Sequence, residues 1–223
     1  MTSGATARLF VAVDPPAEVR EELLAWARRA LTRMSRGRSP RANGDTRLLE
    51  PEALHLTLCF LGGRPVSEIE TIGDALADCA ASVGELELGA PLWLPPRHPR
   101  VLAVEVHDRG GGLARLHAAV CGALADATDW QPERRGFKAH ITVARVRGGG
   151  RQRGRRRPRP GERASVGAAG AERGRERQPE PSLPATPQLR FTPASVVLYR
   201  SFLSRSGASY QALASCELLA AGG

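Results

Sequence analysis

Two stretches of this chain, LHLTLCFLG at 54–62 and FKAHITVARV at 137–146, share one signature: histidine and threonine two residues apart inside an apolar run, His55 with Thr57 and His140 with Thr142. Side chains alternate faces along a strand. Read as strands, they place Leu54, Leu56, Leu58 and Phe60, or Ala139, Ile141 and Val143, on one side, and an imidazole with a hydroxyl on the other. A strand that only fills a core has no use for that second face. The fold must therefore keep one side of a sheet for packing and leave the other open at two histidines.

Strand and helix patterns alternate around these motifs. ARLFVAV (7–13) predicts a strand. Asp14 as N-cap and Pro15 at the first helical position introduce a helix with Val19, Leu23, Trp26, Ala27 and Leu31 on one face; Glu18, Glu21 and Glu22 stand early in it and Arg28, Arg29 and Arg33 late. After the first motif, Ser67 and Glu70 read as a capping box for a helix carrying Ile69, Ile72, Leu76 and Val83. Strands follow at 85–96 and 100–106, then a helix with Leu113, Leu116, Val120 and Leu124. The stretches 194–204 and 209–219 form a closing hairpin around Ser206 and Gly207. The fold class is α+β, with about seven strands and three helices.

Residues 148–187 break the pattern. They hold ten arginines and four glutamates with almost no large apolar side chain, so they cannot offset the entropy of ordering and read as a disordered Arg/Gly/Pro-rich insertion. Residues 1–147 and 188–223 together form the folded unit. The insertion also holds six of the net nine positive charges, which leaves the folded part only mildly basic. It is either an arginine-rich arm for RNA or solvated filler, and no aromatic residue is interleaved with its arginines to stack on bases. Cys59, Cys79, Cys121 and Cys216 are scattered, with no C-x-x-C spacing, and read as reduced thiols. The LFVAV run is too short for a signal sequence or a membrane span, so the expectation is a cytoplasmic protein with no membrane partner, and a monomer.

Two imidazoles across a cleft suit the hydrolysis of a phosphodiester. One takes a proton from water and the other gives one to the leaving oxygen, and a side chain titrating near pH 6.5 can do either at neutral pH. The two threonine hydroxyls can donate to the non-bridging oxygens. The rival readings are a pair of structural histidines, and a metal site; against the latter, no carboxylate or cysteine stands near enough in sequence to complete a ligand set, so no metal and no cofactor is expected. Lys138 shares the face of His140 and is a candidate phosphate contact. Arg145, five residues after His140, falls on the opposite face of a regular strand unless a bulge turns it. Phe60 and Phe137 are assigned to the core. Cys59, on the face of His55, lines the groove or is simply buried; His98, His107 and His117 are structural or solvated.

With RLFVAVDPP ahead of the two motifs and VVLYRSFLSRSGASYQAL after them, nearly the whole chain outside the insertion resembles the 2H phosphoesterases. The resemblance is to their bacterial RNA 2',3'-cyclic phosphodiesterases of the LigT and ThpR kind, once described as 2'-5' RNA ligases. It implies a bilobal, pseudo-symmetric fold: two antiparallel sheets around a central groove, helices outside, and one motif from each lobe. It implies hydrolysis of RNA 2',3'-cyclic phosphate ends to a 2'-phosphate without metal, with His55 as general acid, His140 as general base, Thr57 and Thr142 on the phosphate, and a basic residue near the position of Arg145. The chain departs from the pattern at Ala139, where the family usually has proline, and in the length of its insertion. Two other readings stay open: a related activity on another cyclic phosphate or a 2'-5' linkage, and a non-catalytic module that holds RNA ends.

Overall fold

The computed structural model describes residues 5–36, 46–79, 82–96, 99–133, 135–146, 183–204 and 207–219. The elements follow as β1 (Thr6–Val13), α1 (Ala17–Arg36), β2 (Thr46–Leu48), β3 (Leu56–Pro65), α2 (Ile69–Ala77), β4 (Leu86–Leu94), β5 (Val101–His107), α3 (Gly112–Ala127), β6 (His140–Val146), β7 (Arg190–Phe191), β8 (Ser195–Ser204) and β9 (Gly207–Glu217). All predicted strands and helices are present, but α2 ends at Ala77, so Val83, expected on its inner face, is buried from the loop that follows. The short β2 and β7 were not predicted; at three and two residues they carry no periodicity to read.

The strands run in the order β7, β4, β5, β6, β3, β1, β8, β9, with β2 also on β6, and every strand pair is antiparallel. Two halves of four strands, β9–β8–β1–β3 and β6–β5–β4–β7, meet at a single pair, Leu56 with Ile141. The two sheets expected from the resemblance are thus one continuous sheet with a narrow seam. Beyond that pair β3 leaves β6, and β2 takes over the edge of β6 at Ala144, Arg145 and Val146. The motif strands touch at their histidine ends and part company after them, which opens a groove on one face.

The helices occupy the other face. Helix α1 packs on β6 and β2, α3 lies over β3, and α2 sits between α3 and β9. Leu9, Val11 and Val13 of β1, Leu56 and Leu58 of β3, Ile141 and Val143 of β6 and Leu198 of β8 join Leu23, Ile72 and Leu116 of the helices in one buried cluster. Full burial of each such side chain contributes about 1.5–3 kcal/mol.

Two predicted caps are not formed. Asp14 does not cap α1: its carboxylate accepts the Tyr199 hydroxyl at 2.5 Å and pairs with Arg20 at 3.6 Å, while the Arg20 amide donates to the Pro16 carbonyl. A hydroxyl from a strand 185 residues away outcompetes the local role. Ser67 falls inside a 3-10 turn, Val66–Glu68, so the residue flanking α2 is Glu68 and no side-chain cap hydrogen bond forms there. The insertion boundary also moves. Residues 183–187 belong to the fold, with Leu183 against the core, the Trp26 indole donating to the Ala185 carbonyl at 2.8 Å and the Thr186 hydroxyl to the Gly89 carbonyl at 2.6 Å. The rest of the insertion, Ser206 and His98 lie outside the described residues. Among the described residues no helix is long and apolar enough to cross a membrane.

Candidate active site

The two motifs are built alike down to their backbone contacts. Nδ1 of His55 lies 2.9 Å from the Ala53 carbonyl, and Nδ1 of His140 lies 2.8 Å from the Lys138 carbonyl, two residues back in each case. A carbonyl only accepts, so Nδ1 holds a proton in both rings and Nε2 is the atom free to gain or lose one.

A bulge follows each threonine. In β3, Thr57 pairs with Ala12 and Cys59 with Val11, which leaves Leu58 as an extra residue. In β6, Thr142 pairs with Ala103 and Ala144 with Leu102, which leaves Val143 extra. One inserted residue reverses the faces beyond it. Cys59 and Ala144 turn into the core, while Phe60 and Arg145, each five residues after its histidine, turn into the groove. The assignment of Phe60 to the core is therefore corrected: it is 55% exposed and lines the groove. Cys59 takes the buried alternative, where Cys121 and burial hold its thiol protonated.

The groove has a volume of about 420 Å³. His55, Thr57, His140, Thr142 and Arg145 come together in it, and the Arg145 guanidinium donates to the Tyr210 hydroxyl at 3.3 Å. Lys138 is held elsewhere: its ammonium pairs with Glu105 at 2.8 Å and lines an adjoining pocket of about 270 Å³. Thr57, Phe60 and His140 border both cavities. Phe137 is partly buried against the core and stacks on His117 at 4.3 Å in the second pocket, so the expected structural roles of these two hold together. Among the described residues no group of three His, Cys, Asp or Glu side chains could hold a metal ion.

Sequence reasoning missed the aromatic floor. Phe10 is 3% exposed yet faces the groove, its ring 4.8 Å from His55, 5.2 Å from Tyr199 and 5.1 Å from Tyr210. Tyr210 meets His55 edge-on at 5.0 Å. A signal existed in β1, where Phe10 and Ala12 alternate with the core residues Leu9, Val11 and Val13, but a run apolar on both faces hides which side each residue takes. These rings set the charge of His55. Burial lowers its pKa to about 4, and the positive charges of Arg145 and His140 add to that, against the Ala53 hydrogen bond. The free groove thus holds a neutral His55 at pH 7. Burial and the Asp14 carboxylate push the Tyr199 hydroxyl upward, keeping it a donor.

Residues 10–150 match the family model of the 2'-5' RNA ligase superfamily. Among curated proteins, the chain is 33% identical over 101 residues to an RNA 2',3'-cyclic phosphodiesterase of Aeropyrum pernix, covering 45% of this chain and 57% of that one. It is 31% identical over 141 residues to a protein of the same name in Archaeoglobus fulgidus, covering 63% and 73%. Among solved structures, TT0787 of Thermus thermophilus superposes with a TM-score of 0.63 at 25% identity over 95% of this chain and 97% of that one. Escherichia coli LigT complexed with 3'-AMP shares the fold, with a TM-score of 0.66 at 20% identity over 96% and 99%.

Proposed function

The chain belongs to the 2'-5' RNA ligase superfamily, and from that premise we propose that its groove hydrolyses 2',3'-cyclic phosphate ends of RNA to a 2'-phosphate, without a metal, by proton transfer through His55 and His140. One observation carries this reading: two His-x-Thr motifs on separate strands, each followed by a bulge, face one groove with their Nε2 atoms free. The names of the two archaeal relatives agree with it.

In the proposed reaction the cyclic phosphate sits between the imidazoles, its non-bridging oxygens facing Thr57, Thr142 and Arg145. Nε2 of His140 takes a proton from water as the new P–O bond forms; Nε2 of His55 gives a proton to the departing 3' oxygen as the P–O3' bond breaks. The Nδ1 bonds to Ala53 and Lys138 persist in both protonation states, so neither ring must turn during the transfer. For His55 to be the acid it must first gain a proton that the free groove disfavours. The bound phosphate supplies the reason, since its negative charge opposes the positive charge of Arg145 and favours the imidazolium. Phe60, exposed at the groove edge, offers a ring for a nucleobase.

The test is hydrolysis of a short oligoribonucleotide ending in a 2',3'-cyclic phosphate, in excess EDTA, by wild type, His55→Ala and His140→Ala, with the product phosphate identified. Conversion to a 2'-phosphate that survives EDTA and falls by at least about 10² in each variant is the expected outcome. Turnover abolished by EDTA removes the metal-free mechanism. No turnover by folded wild type transfers the case to another cyclic phosphate or to an RNA-end-binding module.

A further inference from the structure

The hydrolysis proposed above leaves one cation of the groove without a task. Strand β1 carries Arg8 two residues before Phe10 and four before Ala12, the partner of Thr57, so Arg8, Phe10 and Ala12 share the groove face. At about 3.3 Å per residue, Arg8 lies about 13 Å along the strand from the level of Thr57. The aromatic floor of Phe10, and Phe60 beside it, fill the interval.

The surroundings of Arg8 are open. Its register partners are Gly63 on β3 and Ser201 on β8. A Cβ at Gly63 would meet nothing within 4 Å, so no side chain covers the strand on that side. Arg8 is exposed and has no hydrogen bond or ion pair among the described residues, whereas Arg20, Arg47 and Arg64 are paired with carboxylates and Arg145 is bonded to Tyr210. A free guanidinium one aromatic step from a phosphate site is the arrangement that tracks a single-stranded backbone: charge, ring, charge.

We propose that Arg8 binds the phosphodiester on the 5' side of the terminal nucleotide, making the groove selective for an oligonucleotide end over a cyclic mononucleotide. The proposal rests on the phosphodiesterase reading for its register, since the cyclic phosphate between the histidines sets where the next phosphate falls. Arg8 is a specificity residue and touches no reacting atom. Its loss acts on binding of the longer substrate, and so on KM more than kcat.

The test compares a diribonucleotide ending in a 2',3'-cyclic phosphate with 2',3'-cyclic AMP, for wild type, Arg8→Gln and Arg8→Lys. Wild type prefers the dinucleotide; Arg8→Gln lowers the dinucleotide-to-mononucleotide ratio of kcat/KM by about tenfold, the value of one charge-assisted hydrogen bond, and Arg8→Lys recovers part of it. The rise of KM with salt for the dinucleotide is weaker in Arg8→Gln than in wild type, as loss of one screened phosphate contact requires. An unchanged ratio, or equal losses on both substrates, overturns the proposal. If wild type hydrolyses neither substrate, the phosphodiesterase reading fails on its own. Equilibrium binding of a 3'-phosphorylated dinucleotide against 3'-AMP then decides Arg8: a length preference retained in Arg8→Gln overturns it, and one lost in Arg8→Gln sustains it.

Discussion

His55 and His140 share a motif and a backbone contact, yet their surroundings differ. Phe10, Tyr199 and Tyr210 wall in His55, with ring centroids 4.8, 6.3 and 5.0 Å away, while His140 lies opposite Glu105, which the Lys138 ammonium pairs. The sign of the pH effect follows from those walls. A ring whose pKa drops from 6.5 to about 4 is neutral throughout the range in which an exposed histidine titrates, and only an added negative charge brings its protonation back toward neutrality. An imidazole titration followed by NMR is expected to place His55 near 4 in the free protein and at least about one unit higher with 2'-AMP bound. If its pKa stays near 4 with the phosphate in place, His55 is not the acid and the two histidines exchange roles. At this scale the histidines and threonines could be read from sequence because alternation holds up to the threonine. Arg145 and Phe60 could not be placed, since a bulge depends on the register of the neighbouring strand.

At the scale of elements, the paired bulges make the two motif strands near copies: histidine, threonine, an extra buried residue, then a groove residue five positions on. They differ in what stands there, an aromatic ring in β3 and a guanidinium in β6, so the halves match in backbone and differ in the side chain each turns into the groove. Helix starts were the least legible feature. The two caps predicted from short patterns are unused, while a third, unpredicted one operates at α3, whose N-cap is Gly111 with φ 68°. There the Asp108 carboxylate reaches past the turn to accept the Leu113 amide at 2.6 Å and the Gly110 amide at 3.0 Å. Asp108→Ala is expected to lower stability by about 1–2 kcal/mol, with Asp108→Asn, whose single carbonyl oxygen can accept from one of the two amides, recovering part of it, as read from urea unfolding midpoints. An equal loss in both variants would place the effect in the dipole at the helix end rather than in the hydrogen bonds.

At the scale of the whole molecule, the halves of the sheet meet at one residue pair, and the helices behind hold them in register. Trp26 of α1 links this frame to residues 183–187 through the Ala185 carbonyl, so the residues just ahead of β7 belong to the fold. The described side chains that line the groove, His55, Thr57, His140, Thr142 and Arg145 among them, carry the whole of the proposed reaction. Replacing 148–182 with a short Gly/Ser linker is therefore expected to leave kcat/KM for a dinucleotide ending in a 2',3'-cyclic phosphate within a factor of about three. The same change removes ten arginines and four glutamates, so affinity for long RNA should fall and its salt dependence weaken. Loss of turnover with the fold intact would make that segment part of the substrate site. By itself the sequence determined the alternation of strands and helices, the apolar and polar faces of each motif strand and the functional groups that the two His-x-Thr pairs present, because these are local consequences of side-chain period and residue type. Tertiary structure alone decided that the pairs share one groove, that Phe60 and Arg145 turn into it, that Phe10, Tyr199 and Tyr210 close under His55 and lower its pKa, and that Asp14 serves Tyr199 instead of its own helix. Each of these is set by contacts between strands distant in sequence, and pairing register and burial are properties of the assembled sheet that no local pattern encodes.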